Sequence, residues 1–96
     1  MVKLTTNPAR DVAGATLQIH LSSHAAEAMQ LRGLDPAWIA ATVTDPDWTE
    51  PDPRPERMRS YKAIAAFGGR VLRVVHRPAA DGVMVITAHF DRGARR

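Results

Sequence analysis

The chain contains no cysteine, which excludes a disulfide framework and any thiolate metal site. Its start, Met1-Val2-Lys3-Leu4-Thr5-Thr6-Asn7-Pro8, lacks the apolar stretch of a signal peptide, and no run approaches a membrane span. A cytoplasmic location without membrane contact is the expectation. No glycine-rich phosphate loop is present, because the pair Gly68-Gly69 reads as a turn. The four histidines are scattered and lack a clustered acidic partner, so neither a metal nor another cofactor is expected. Aromatic residues make up only 5% of the chain. The one tyrosine and two phenylalanines are expected to face inward, which leaves no stacking platform for single strands.

What is present is a charge imbalance along the chain. Residues 1–53 hold three cations (Lys3, Arg10, Arg32) against seven carboxylates, whereas residues 54–96 hold ten cations against Glu56, Asp81 and Asp91. The formal net charge of +3 conceals this division. A half this basic attracts polyanions, and nucleic acid is the commonest of them. Eleven of the thirteen cations are arginine, whose planar fork matches phosphate geometry better than the point charge of lysine. The plain alternative is a solvated charged face.

Ninety-six residues, 45% of them hydrophobic, suffice for one small domain. Residues 1–14 are polar and broken by Pro8 and Gly14, which predicts a flexible arm. The domain proper spans 15–93, and residues 94–96 form a basic tail. Alternation over Thr16–Leu21 predicts a strand. Ser22-Ser23 then caps an alanine-rich helix from about His24 to Leu31, stopped by Gly33. Asp35-Pro36 opens a second helix as N-cap and first residue, with Trp38, Ile39, Thr42 and Val43 on one stripe. It ends before Asp45-Pro46. The segment 45–57, DPDWTEPDPRPER, reads as a stiff loop pinned by Trp48.

The remainder predicts three strands, Met58–Phe67, Arg70–Arg77 and Val83–Phe90, with Gly68-Gly69 and residues 78–82 as turns. The order β-α-α-β-β-β implies an α+β fold in which two helices pack on one face of a small antiparallel sheet. That register places Lys62 opposite Val75 and Tyr61 opposite His76, and puts Arg73 diagonal to His89. One face then carries Tyr61, Phe67, Leu72, Val74, Met84, Ile86, Ala88 and Phe90 as core. The other carries Ser60, Lys62, Arg73, Arg77, Thr87 and His89.

A basic face bearing one imidazole can cleave RNA without metal. One group takes the 2′-hydroxyl proton, cations stabilise the phosphorane, and another group protonates the leaving oxygen. His89 with Arg73 is the leading pair, with Lys62 and Arg77 on phosphate. His24, in the first turn of its helix, is the second candidate for acid–base catalysis. Arg32 shares a broad face with it, roughly 80° around the helix and about 12 Å along it. His76 is expected beside Tyr61 in a structural role.

The run Ser23-His24-Ala25-Ala26-Glu27-Ala28-Met29-Gln30-Leu31-Arg32-Gly33-Leu34, the strand Tyr61-Lys62-Ala63-Ile64, the strand Arg70–Val75 and the stretch Val85-Ile86-Thr87-Ala88-His89-Phe90-Asp91-Arg92 together resemble the DUF4258 family. That family is similar to the RelE and BrnT ribonuclease toxins. The resemblance covers roughly residues 16–93. It implies a RelE-like toxin fold and a metal-independent endoribonuclease of a toxin–antitoxin type, with roles for His24, Arg32 and the strand cations; Arg92, just beyond the last strand, is a further phosphate-binding candidate. Ala28 stands where members often carry arginine, and His89 where tyrosine is frequent, so proton transfer would pass to His89.

RNA is the expected partner, with an acidic antitoxin-type protein and a homodimer as further partners. The alternative is a non-catalytic protein-interaction module on a decayed toxin fold. A duplex-DNA reader is disfavoured, since residues 35–44 offer no cation or amide side chain as a recognition helix.

Overall fold

Local signals set both helices. Helix α1 (Ser23–Arg32) begins where Ser22 Oγ accepts from the Ala25 N–H at 3.0 Å, and ends at Gly33, whose φ of 63° gives the left-handed cap. Helix α2 (Pro36–Thr44) begins with the Asp35 carboxylate accepting from the Ala37 N–H at 2.8 Å, with Pro36 in the first turn. These are the ends the sequence predicts. The computed structural model describes residues 17–94 and the backbone of Val2–Thr5. Met1 and residues 6–14 of the expected arm, residues 15 and 16 at the start of the expected domain and strand, and Arg95 and Arg96 of the expected tail lie outside the described residues.

Around the helices stand strands β1 (Val2–Thr5), β2 (Gln18–Leu21), β3 (Trp48–Pro51), β4 (Met58–Ile64), β5 (Arg70–Ala79) and β6 (Gly82–Phe90). They form one sheet in the order β1-β2-β6-β5-β4-β3. The expected α+β class is observed, but the sheet is mixed rather than antiparallel, because β2 runs parallel to β6. Both helices and three strands separate these two in sequence, a connection long enough to bring the chain back in the same direction. The first strand of the expected arm pairs with β2. The proline-rich loop also yields a strand: β3 pairs with β4 at the sheet edge, where Pro51 has no ladder donor to lose.

The helices cover one face of the sheet, α1 against β6 and α2 against β5 and β4. Ile19, Leu21, Ile39, Ile64, Leu72, Val74, Val85 and Ala88 form the core with Ala25 of α1 and Leu34 between the helices. Alanines at 25 and 28 let α1 approach β6 closely. The bulk comes from α2, whose Ile39 is fully buried and whose Thr42 satisfies its hydroxyl on the Trp38 carbonyl at 2.7 Å.

Two turns differ from expectation, with opposite consequences. Between β4 and β5 the connection is five residues, a 3₁₀ turn at Ala65–Phe67 followed by Gly68 and Gly69, both at positive φ. The Gly69 N–H bonds the Ile64 carbonyl at 2.9 Å. Tyr61 therefore faces Arg73 and Lys62 faces Leu72. This odd shift of three exchanges the faces of β4. Between β5 and β6 the turn is only Ala80-Asp81, which shifts the register by one residue: Met84, expected in the core, faces Arg77, and Val85 takes the core side opposite His76. A bulge after Val75 leaves Ile86, also expected in the core, without a partner and adds a second residue, so Val75 lies opposite Thr87 and Arg73 directly opposite His89, with the faces there as expected.

Candidate functional site

On the face opposite the helices, one row of register partners crosses four strands: Trp48, Tyr61, Arg73 and His89. Trp48 and Tyr61 stack at 4.7 Å with their planes 3° apart, and the Tyr61 hydroxyl donates to Glu50 at 3.1 Å. Tyr61 is thus not on the core face as expected, although at 4% exposure it is still buried. Its burial comes from the Trp48 stack and its strand neighbours rather than from a helix.

The next pair in the row carries the chemistry. Arg73 Nη2 lies 3.1 Å from His89 Nε2, and Arg73 Nη1 lies 3.7 Å from Asp91 Oδ2. A guanidinium can only donate, so His89 Nε2 accepts, which requires a neutral imidazole with its proton on Nδ1. The electrostatics agree. Burial first, then the charge of Arg73, push the His89 imidazole below its ordinary value; Asp91 pulls the other way, and Arg32 adds a smaller lowering. Arg73 Nε is buried without a hydrogen-bond partner, as is Trp48 Nε1 in the same row. An orphaned buried donor costs about 1–3 kcal/mol, and such costs concentrate where a site is kept ready for a ligand.

Not every expected residue joins this pair. Lys62 projects from the helix-covered side of β4, the consequence of the exchanged faces. Its ammonium bonds the Asp45 carbonyl at 2.8 Å and lies near the Asp45 and Asp47 carboxylates, at 3.5 and 3.7 Å. It anchors the end of α2 and is not a partner of His89. Arg77 does share the face, but sits exposed beyond the bulge and bonds the Pro78 carbonyl at 3.4 Å. His24 is exposed, and it takes no part in the hydrogen bond between Arg73 and His89 or in the Arg73–Asp91 ion pair. Arg32 acts on His89 through its charge.

Arg92 lines a cleft of about 350 Å³ with Gly69, Arg70, Val71, Phe90, Asp91 and Ala94. Asp91 is common to this cleft and to the Arg73 pair, which makes the two adjacent.

His76 is not beside Tyr61. It occupies the helix-side face, where Nε2 and Ser60 Oγ are 2.7 Å apart. Burial lowers its pKa from the ordinary 6.5. The charge division noted in the sequence is partly cancelled inside the fold. Besides the Lys62 contacts, Arg59 bonds Asp52 at 2.9 Å. The Arg54 N–H, then the Arg59 guanidinium, hold that carboxyl below its ordinary value. Thus β4 commits both its cations to the acidic loop 45–52. Among the described residues, Arg32, Arg54, Arg57, Arg70, Arg77 and Arg92 have no carboxylate within ion-pair distance.

The residue that sequence reasoning missed is Phe67. Expected in the core, it is 41% exposed at the hairpin tip with the Arg70 guanidinium 5.1 Å above its ring. Its place beside two glycines was the available signal.

Among the described residues no group of histidines and carboxylates is arranged to hold a metal ion, and no helix is long and apolar enough to cross a membrane. The model of one protein family, described as Domain of unknown function (DUF4258), matches residues 21–90, which include every element from α1 to β6. No curated protein and no solved structure matches the chain.

Proposed function

The chain belongs to the DUF4258 family, and from that premise we propose that it binds RNA and cleaves it without metal, as a toxin-like endoribonuclease of RelE or BrnT kind acting in the cytoplasm. The observation that carries the reading is the 3.1 Å contact between Arg73 Nη2 and His89 Nε2. It pairs a phosphate-binding cation with a neutral imidazole, the two groups that phosphodiester transfer needs. In the free protein the guanidinium occupies the lone pair a general base would use. A phosphate on Arg73 draws the guanidinium towards its oxygens and releases Nε2. The base is unmasked only when substrate is bound. His89 then takes the 2′-hydroxyl proton, the 2′-oxygen attacks phosphorus, and the P–O5′ bond breaks. The products are a 2′,3′-cyclic phosphate and a 5′-hydroxyl protonated from solvent. Arg32 and Arg92 add to the field that draws the strand in, and an acidic antitoxin-type protein would neutralise the same face.

Purified protein incubated with unstructured RNA in EDTA tests this directly. Cleavage should leave cyclic phosphate ends, fall about 10²–10⁴-fold in His89→Ala, and be nearly abolished in Arg73→Met. His24→Ala should leave it unchanged. A second reading, a protein-interaction module without catalysis, is favoured by Leu31, an apolar side chain 79% exposed at the end of α1. Intact RNA in the wild-type reaction, with salt-insensitive binding to a protein partner, would decide for that module.

A further inference from the structure

We propose that Asp91 is a specificity-determining residue of the Arg73 site: its carboxylate competes with an incoming phosphate, so that a single phosphate binds weakly and a strand of several binds well. This rests on the RNA-binding reading above and adds what decides which anion reaches Arg73.

Asp91 follows the last residue of β6, and its backbone N–H bonds the Val71 carbonyl at 2.9 Å. Its Oδ1 accepts from the Gly93 N–H at 2.9 Å. The carboxylate is thus fixed from behind by its own turn. Oδ2 is left 3.7 Å from Arg73 Nη1, within ion-pair range but longer than a hydrogen bond. An ion pair that serves stability closes further, as Arg59 and Asp52 do at 2.9 Å. Asp91 therefore places a negative charge beside the guanidinium without satisfying its N–H groups. The hydrogen bond of Arg73 goes to His89 instead, and its Nε is buried without a partner. Both side chains remain about a quarter exposed, 24% for Arg73 and 26% for Asp91, so an anion from solvent can reach them.

A phosphate on Arg73 comes within a few ångströms of the Asp91 carboxylate, and like charges at that distance oppose each other. A single phosphate meets this repulsion with Arg73 alone. A strand brings further phosphates, and further cations await them. Arg77 shares the face, Arg92 is next in sequence, and the charge of Arg32 reaches His89. Among the described residues none of the three has a carboxylate within ion-pair distance. Their attraction for the flanking phosphates offsets the repulsion at Arg73. Below saturating concentrations, free phosphate and mononucleotides leave His89 covered, whereas a polynucleotide uncovers it.

Asp91→Asn keeps an Oδ1 acceptor for the Gly93 N–H and removes the charge. Inorganic phosphate is titrated into wild type and variant at low salt, with the His89 ring protons followed by NMR. The half-saturating concentration should fall about 5-fold in Asp91→Asn. That difference should fade in 1 M NaCl, where screening acts within about 3 Å. A misfolded variant binds less at every salt concentration, so it cannot imitate this gain. The second probe is fluorescein-labelled 12-nucleotide 2′-O-methyl RNA, which lacks the attacking hydroxyl, titrated by anisotropy. Arg92→Ala should weaken its binding and lower the slope of log affinity against log salt by about 0.7, while leaving the phosphate titration unchanged. If phosphate moves His89 no more readily in Asp91→Asn than in wild type, Asp91 is a strut for Arg73, and the inference falls while the anion site stands. If Arg92→Ala weakens phosphate as much as the strand, one pocket holds both, and the inference falls in the same way. If neither phosphate nor the strand binds, both readings fall.

Discussion

The histidine of β5 and the histidine at the end of β6 lie on opposite faces of the sheet, and the two faces use them in opposite ways. On the helix-covered face His76 pairs with the hydroxyl of buried Ser60, a neutral contact in which each group satisfies the other. On the opposite face His89 is held against a cation that leaves its own Nε unpartnered. Burial alone depresses His76, whereas burial and two arginines depress His89. The first arrangement is complete without a ligand. The second becomes complete when an anion takes Arg73. Side-chain chemistry alone does not make a histidine functional here. What distinguishes the two is whether the surrounding hydrogen bonds close.

Breaking the comparison at its strongest point means removing the layer that makes one face closed. Ile39 is fully buried between α2 and the sheet. Ile39→Ala should cost about 2–5 kcal/mol, through lost transfer energy and the cavity left behind, measured as a shift in the urea midpoint at constant slope. Val71→Ala, an aliphatic truncation on the other face, should cost well under half as much, because Val71 borders an open cleft. Equal costs would mean that the far face is as much a core as the near one.

A smaller effect sharpens the contrast between satisfied and unsatisfied groups. Ser60→Ala strands His76 Nε2 and should lose about 1–3 kcal/mol. Arg73→Met removes an orphaned buried donor and keeps the apolar stem, so its stability should change by no more than about 0.5 kcal/mol in either direction. The same substitution should remove RNA cleavage. Stability retained with function lost is the mark of a side chain kept for a ligand. A loss of several kcal/mol in Arg73→Met would show instead that the Arg73 contacts hold the sheet together.

How much of this the sequence disclosed depended on whether a signal was local. Ser22, Gly33, Asp35 and Pro36 mark the helix ends, because capping is decided within four residues. The Arg73–His89 pair was also legible, since the one-residue error in the second turn and the bulge at Ile86 add up to an even shift that leaves both on one face. Lys62 was misplaced because the first turn was read as two glycines. The 3₁₀ turn at Ala65–Phe67 has no proline, asparagine or charge to announce it, and its three residues invert every side chain of β4. The same segment carries Phe67 outward, so one missed turn hid both the true place of the lysine and the exposed ring. The parallel pairing of β2 with β6 had no local signal at all. It rests on the packing of Ile19 and Leu21 beside Val83 and Val85. There Gly82 approaches the backbone of Gln18 so closely that no Cβ fits.

The finest distinction between the two faces is in how the histidines titrate. Both have folded values below the ordinary 6.5, so below that pH the unfolded chain binds more protons than the folded one. Stability should therefore be fully present above about pH 6.5 and decline as pH falls towards the folded values, with the sign given by proton linkage. Both histidines contribute in this direction, and stability alone cannot separate them. Their ring proton resonances, followed by NMR across the titration, can. In Arg73→Met the cation is gone, and His89 should titrate closer to pH 6.5 while His76 stays where it was. Saturating inorganic phosphate on the wild-type protein should move His89 the same way, by neutralising the same charge, again without moving His76. If His76 shifts in step with His89, the two sites communicate through β5 and the faces are not independent. If neither moves, Arg73 does not govern the imidazole, and the unmasking of His89 by substrate fails with it.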